Sequence, residues 1–259
     1  MIPEDDLSTI SIVVPTYNES ENVGNLTNQI DYALRGIKYE IIFVDDSTDD
    51  TPEAIKKVMG ENPNVRMEHR ESEKGLATAV LKGFELAKGD YIAVMDADLQ
   101  HPPAILRSMY VVMETGADFC IPSRFIPGGS DGGLGPYRKL VSGVARYIGK
   151  IMLPSLRKIT DPTSGLFMIR RSVIENADLR PIGWKIMVEV LAMGTYGSVV
   201  EIPYKFQARP AGESKLSSRV TLEYLKQVAE LTKRGKKQKD VAVSRWTPGK
   251  LKSELESIG

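Results

Sequence analysis

Four times between Thr9 and Asp98, a short β-branched strand pattern runs into polar turn residues and then into a helix pattern. The strands are Thr9–Val14, Glu40–Val44, Val65–His69 and Tyr91–Met95. Helix patterns follow from Asn18 to about Arg35, from Thr51-Pro52, and from Gly75 to Ala87. Parallel strands need crossovers of this length, and right-handed crossovers lay their helices on the sheet faces. The expected fold is therefore α/β, with a mostly parallel central sheet flanked by helices. The turns at the carboxyl ends of the strands then gather on one sheet edge, where open α/β sheets take their ligands.

Those turns carry acids. The first reads Pro15-Thr16-Tyr17-Asn18-Glu19, and Asn18 with Glu21 has the spacing of a capping box. The second is Asp45-Asp46-Ser47-Thr48-Asp49-Asp50, which lacks the glycine and distant glutamate of a calcium loop. Asp49 and Asp50 suit helix capping, with Pro52 fitting a first helical turn. In the third, Gly75 permits close backbone approach at a helix start, where amides favour phosphate. The fourth is Asp96-Ala97-Asp98-Leu99-Gln100, stopped by Pro102-Pro103. Strand alternation points Asp96 and Asp98 the same way. Two carboxylates and the neutral oxygen of Gln100 suit Mg²⁺ or Mn²⁺, which take their remaining ligands from water and phosphate.

Beyond this point the pattern loosens. Asp118–Pro122 is a fifth strand, followed by Ser123-Arg124 and a loop with five glycines between Pro127 and Gly135 that composition makes a mobile lid. Residues 137–153 form an amphipathic helix whose apolar side is Leu140, Val141, Val144, Ile148, Ile151 and Met152. Residues 138–158 hold six bases and no acid, which suits a membrane interface. Asp161-Pro162-Thr163-Ser164-Gly165 precedes a strand at Leu166–Arg170, and a helix covers Lys185–Met193. A strand-rich stretch at 198–208 leads into Arg209-Pro210-Ala211-Gly212-Glu213-Ser214-Lys215 and an amphipathic helix over 218–233. The expected catalytic domain is 1–234, with 235–259 a charged, mobile tail low in core residues.

The totals exclude some classes. With 259 residues and 42% hydrophobic content the chain can bury a sizeable core, and a net charge of zero gives no argument for nucleic acid. Charge is uneven, however: residues 1–60 hold 12 acids and 4 bases. The single cysteine, Cys120, excludes an internal disulfide, fits a reducing compartment and lies in an apolar run expected in the core. No signal peptide and no apolar run of spanning length is seen, so membrane contact would be peripheral.

Asp96-Ala97-Asp98-Leu99-Gln100-His101-Pro102 resembles the metal motif of family-2 glycosyltransferases with the GT-A fold, most of all the dolichol-phosphate (polyprenyl-phosphate) mannosyltransferases. The resemblance covers roughly residues 9–232, and Leu166 departs from its usual Phe after the D-x-x-S-G element. It implies a nucleotide cradle of Pro15, Tyr17, Glu19, Val44, Asp45 or Asp46, Gly75, Asp96, Ala97 and Lys215. It also implies a metal held by Asp98 and Gln100, with Asp96 a ligand or sugar contact, and phosphate-handling Arg124, Arg138 and Arg209.

A hydroxyl acceptor needs a general base, yet Gly183-Trp184-Lys185-Ile186 has no carboxylate before Glu189. A phosphate monoester is already largely dianionic near pH 7 and needs none. The expected activity is metal-dependent inverting transfer of mannose from GDP-mannose to a polyprenyl or dolichyl phosphate. It would take place in the cytoplasm, peripherally at a membrane surface, with room for a membrane-embedded partner. UDP-glucose or another sugar nucleotide is an alternative donor. A sugar-phosphate nucleotidyltransferase or a non-catalytic nucleotide-binding module are the alternatives of a different class.

Overall fold

The computed structural model describes residues 8–72, 74–133, 136–207, 218–235 and 240–258. Eight strands form one sheet in the order β3-β2-β1-β4-β6-β5-β7-β8. β1 (Ile10–Thr16), β2 (Tyr39–Asp45), β3 (Val65–His69) and β4 (Tyr91–Val94) are joined by α1 (Ser20–Ala33), α2 (Thr51–Glu61) and α3 (Leu76–Leu86). These four strands are mutually parallel, as the alternation requires. After α4 (Ile105–Glu114) come β5 (Phe119–Ser123), α5 (Pro136–Met152) and β6 (Phe167–Arg170), with β6 antiparallel to both β4 and β5. α6 (Ile186–Met193), β7 (Ser198–Pro203), α7 (Ser218–Arg234), β8 (Ala242–Arg245) and α8 (Pro248–Ile258) complete the chain.

The central strands of the sheet are buried on both faces. Ile10, Ile12 and Val14 of β1 enter one core with Phe43, Leu26 and Ile55, while Val13 enters the other with Ile42, Val80 and Ile92. That period of two on a strand buried on both sides is why β1 reads as an unbroken apolar run. α3 lies close because Gly83 carries no side chain; a Cβ there would stand 2.1 Å from Val13 Cγ1. Cys120 is buried in the core.

Several local expectations give way. The Asn18–Glu21 capping box does not form: α1 starts after Glu19 with no side-chain cap. Asn18 adopts φ +57° and donates its amide N–H to Ser47 Oγ (2.8 Å), so it joins two turns instead of capping a helix. The glycine-rich loop is tied down over 127–133. Ser130 N–H donates to Tyr204 O (3.0 Å) and Phe206 N–H to Ser130 O (2.9 Å). Gly128, Gly129 and Gly132 serve close packing; a Cβ on Gly132, for example, would meet Phe206 O at 2.4 Å.

Where composition suggests a bare tail, residues 242–245 add a parallel strand beside β7, and Trp246 and Leu251 are buried. Two apolar residues in a charged stretch leave little sequence trace. What holds the segment is the open β7 edge and an ion pair, Arg245 Nε to buried Glu201 Oε2 at 3.2 Å.

Candidate functional site

The carboxyl ends of β1, β2 and β4 lie side by side, with Thr16 opposite Asp45 and Met95 N–H donating to Val13 O (3.1 Å). Tyr17, the Asp45-Asp46 pair and the Asp96–Gln100 turn therefore share one edge. Pro15 and Val44 are buried beneath it as register partners, and Tyr17 is exposed above.

The β2 turn is fixed by the protein's own donors. Asp45 is fully buried; its Oδ1 accepts from Thr16 Oγ1 (2.9 Å) and Ser47 Oγ (2.6 Å), and its Oδ2 lies 2.7 Å from His69 Nδ1. Asp46 accepts from Arg70 through Nε (2.8 Å) and Nη2 (2.6 Å), and from the Gly75 amide (2.7 Å). A bidentate guanidinium pair of this kind is both strong and directional. Gly75 adopts φ +138°, open to glycine alone, and its carbonyl accepts from Arg70 Nη2 at 3.1 Å. Its amide is thus spent on Asp46. Glu19 accepts from Asn22 Nδ2 (2.7 Å) and donates its own N–H to Thr51 Oγ1 (2.9 Å). Arg70, His69 and Ser47 were not singled out from sequence, although Arg70 follows β3 directly and so falls on the same edge.

β4 ends at Val94, so the alternation expected to align Asp96 with Asp98 does not reach them; both sit in the turn that follows. Asp98 is buried and its Oδ1 accepts the Gln100 N–H (3.1 Å). Leu99 between them takes φ +58°, a conformation costly for a branched residue and held here by burial of its side chain. Gln100 is clamped in turn, its carbonyl accepting from the Gln207 N–H at 2.9 Å. Ala97 is buried, while the Asp96 side chain is 37% exposed. A Cβ on Gly165 would stand 2.5 Å from Asp96 Oδ2, so the D-x-x-S-G glycine is what lets that loop close over this carboxylate. Asp96, Asp98 and Gln100 together offer two carboxylates and an amide oxygen. No cluster of three or more acidic, His or Cys ligands exists among the described residues. That donor set fits a hard divalent cation that completes its shell from phosphate and water.

His101 is enclosed behind this turn. Its Nδ1 lies 3.2 Å from Tyr204 Oη and its Nε2 3.8 Å from Asp96 Oδ2. Burial, with Arg124 and Lys185 nearby, lowers its pKa to about 3, so the ring is neutral.

Arg124 is paired within the protein. Its Nε and Nη2 donate to the fully buried Asp161 at 2.7 and 2.9 Å, and its guanidinium lies 5.2 Å from the Phe206 ring centroid. It opposes a buried carboxylate first of all. Arg138 lies in α5, and its side chain is outside those described; Arg209 and Lys215 lie outside the described residues.

Lys185, passed over in the sequence except as a missing acid, precedes α6 and donates from Nζ to Thr163 O (3.0 Å). Burial and Arg124 lower its pKa, opposed by Asp96 and Asp161. Glu189 faces away from this edge. It is fully buried and accepts from Arg180 N–H (2.9 Å), Gln227 Nε2 (3.3 Å) and Arg234 Nη2 (3.4 Å).

Next to this edge α5 packs on α7 through small residues: Tyr224 Oη donates to Ala145 O (2.9 Å), and a Cβ on Gly149 would meet that hydroxyl at 2.2 Å. Its outward residues are apolar, with Val144, Tyr147 and Ile151 exposed by 50%, 68% and 56%. No helix among the described residues is long and apolar enough to cross a membrane.

Residues 11–177 match the model for "Glycosyl transferase family 2". A dolichol-phosphate mannosyltransferase of Pyrococcus furiosus is 45% identical over 225 residues, 86% of this chain and 64% of that protein, so the chain spans less than two thirds of that relative. One from Saccharomyces cerevisiae is 38% identical over 85% of this chain and 86% of the relative. A polyprenol monophosphomannose synthase of Mycolicibacterium smegmatis is 34% identical over 87% of each. Among solved structures, glucosyl-3-phosphoglycerate synthase of Mycobacterium tuberculosis, in complex with Mn²⁺, UDP and glucosyl-3-phosphoglycerate, superposes with a TM-score of 0.70. It covers 89% of this chain and 82% of its own at 18% identity, a likeness of fold. The same protein has also been solved with Mg²⁺ and UDP.

Proposed function

The chain belongs to glycosyl transferase family 2, with the GT-A fold, and we propose that it transfers mannose from GDP-mannose to a polyprenyl or dolichyl phosphate with inversion at the anomeric carbon. The observation that carries this reading is the residue at the start of α6, where a hydroxyl acceptor would call for a carboxylate base. Lys185 stands there, and Glu189 one turn on is committed to Arg180, Gln227 and Arg234. The relatives' names point to the same acceptor class.

In the proposed reaction an acceptor phosphate oxygen attacks the anomeric carbon while the bond from that carbon to the donor diphosphate breaks. GDP departs with the electron pair. The acceptor enters as a dianion, so no proton is removed. Asp98 and Gln100, with Asp96, would hold Mg²⁺ or Mn²⁺, which when bound offsets the charge developing on the leaving diphosphate. The Asp46–Arg70–Gly75 cluster fixes the edge against which the nucleoside rests, and Tyr17 offers an exposed ring for the base. Arg138, Arg209 and Lys215 supply cations from segments that flank the site in sequence. The exposed face of α5, with Arg146 and Lys150 beside it, lies on the membrane surface that delivers the lipid.

The test is a donor panel with phytanyl or polyprenyl phosphate as acceptor, with and without Mn²⁺. Transfer from GDP-mannose alone fits the reading; preference for UDP-glucose changes the donor and keeps the acceptor. Release of pyrophosphate from a nucleoside triphosphate and a sugar phosphate would replace it with nucleotidyl transfer.

A further inference from the structure

The last strand of the sheet is tied to the site by side chains. Glu201 of β7 is fully buried, and its carboxylate joins two segments. Oε1 accepts from the Thr160 N–H (2.7 Å), from Thr160 Oγ1 (2.6 Å) and, at 3.4 Å, from the Asp161 N–H. Oε2 accepts from Nε of Arg245, its register partner on β8, at 3.2 Å. Arg245 Nη2 donates to Lys158 O (2.8 Å), and Lys158 Nζ donates back to Val241 O (3.1 Å). Residues 158–161 are therefore held to β8 directly and, through Glu201, a second time.

Covering the β7 edge does not call for these bonds. The backbone ladder does that, with Ala242 N–H on Gly197 O and Trp246 N–H on Glu201 O, both at 2.9 Å. The side chains reach further, to the start of the loop that runs from Thr160 to Gly165. That loop meets the site at three points. Asp161 carries the Arg124 fork, Thr163 O accepts from Lys185 Nζ, and Gly165 lies so close to Asp96 that a Cβ would stand 2.5 Å from Oδ2. At such clearance a small shift of the loop becomes a shift of the Asp96 carboxylate. Charge-assisted bonds fix a backbone more firmly than neutral ones. A buried carboxylate that loses its cation draws in water or moves toward other donors, and the donors on Glu201 Oε1 belong to this loop.

We infer that Arg245 is a positioning residue for sugar transfer: through Glu201 it sets the Thr160–Gly165 loop against Asp96 and Arg124. The charged strand after residue 240 then belongs to the catalytic unit. This rests on the site placed at the Asp96–Gln100 turn, whatever the donor's base.

Arg245→Met and Arg245→Lys are compared with the unmodified full-length chain; methionine keeps an apolar stem on β8 and removes the charge. The quantities read are kcat for transfer to phytanyl phosphate, amide hydrogen exchange over 158–166 and over β1 to β4, and the thermal midpoint. Arg245→Met should lower kcat about 10-fold, since small misplacements at a reacting centre cost that much or more. Exchange should rise at Thr160 and Asp161 and stay unchanged in β1 to β4. The midpoint should fall by no more than about 5 °C, because the Arg245 side chain is half exposed. Arg245→Lys should recover part of the rate, because it restores the charge. An unchanged kcat in Arg245→Met would overturn the assignment, and so would exchange that rises equally in β1 to β4. An Arg245→Lys no better than Arg245→Met would overturn the ion pair as the cause. Should the unmodified chain transfer nothing to phytanyl phosphate, the proposed function falls, and unchanged exchange over 158–166 in Arg245→Met would overturn this inference by itself.

Discussion

The two sides of the sheet edge are built differently. At the end of β2, Asp45 has three partners within 2.9 Å, and Asp46 has a bidentate arginine and a backbone amide. Across β4, Lys185 has one hydrogen-bond acceptor among the described residues, and the neighbouring α5 turns Val144, Tyr147 and Ile151 outward. The first region is finished before any ligand arrives, so binding there costs little reorganisation. The second combines a part-buried cation with an apolar face open to solvent. Such a contrast suits an enzyme whose donor comes from solution and whose acceptor comes from a lipid surface.

The largest effect should come where the regions meet. Asp98→Ala removes the buried carboxylate of the Asp96–Gln100 turn, and transfer should fall on the order of 10³-fold. Calorimetry should show Mn²⁺-dependent GDP binding weakened while circular dichroism is unchanged. Full activity in EDTA would remove the metal from the scheme and break the division of labour drawn here.

Next in size, the arginines should separate by role. Arg124 and Asp161 form a buried pair, and removing one partner of such a pair costs about 3–5 kcal/mol. Arg124→Ala should therefore lower the denaturation midpoint strongly, in urea or on heating. Arg138→Ala and Arg209→Ala should leave the midpoint in place and reduce kcat/KM for lipid phosphate on the order of 10²-fold. A stable but inactive Arg124→Ala would move that arginine into the acceptor site.

Much of the first region was legible in the sequence because periodicity and strand order are local signals. Alternation between Thr9 and Asp98 gives the parallel sheet, and the sheet gives a shared edge for Tyr17, Asp46 and Asp98. The partners on that edge were harder to see: Arg70 reaches Asp46 across 24 residues and Thr16 reaches Asp45 across 29, pairings that only register discloses. The second region was less legible for the same reason. Nothing near Lys185 in sequence announces Thr163, 22 residues away, and nothing in Ala242–Arg245 announces the open edge of β7. Arg124 adds a pairing of the same kind: at a position that matches a phosphate-handling arginine, it donates to Asp161, 37 residues away.

A smaller effect should follow from the apolar face of α5. Tyr147→Ser with Ile151→Ser removes two exposed side chains that would lie in the interface, and co-sedimentation with anionic liposomes should weaken about 10-fold or more. Binding should also fall with salt, since screening acts over about 10 Å at 0.1 M ionic strength. If the double variant sediments like the unmodified chain, the exposed stripe serves another partner and the lipid half of the comparison fails.

The smallest expected effect is the most discriminating. If the acceptor's phosphate is its own nucleophile, the rate should track that group's second ionisation near pH 6, falling only about two-fold between pH 7.5 and 6. A base of the enzyme would impose its own limb instead. His101, enclosed beside Asp96, does not supply one, because its pKa lies at about 3 and the ring is neutral throughout that range. It does affect stability, and the sign can be worked out. Between about 6.5 and about 3 an unfolded chain protonates this histidine while the folded chain does not. The unfolded state then binds more protons, so stability is intact above about 6.5 and declines as the pH falls toward 3. The rate profile must accordingly be paired with circular dichroism at each pH, and only the range in which the fold is intact counts. Within that range, Lys185→Arg should leave the midpoint near 6 where it was, since the titrating group belongs to the acceptor. A midpoint that moves with the enzyme variant and stays put when the acceptor is changed would place the ionisation on the protein and restore a base to the second region.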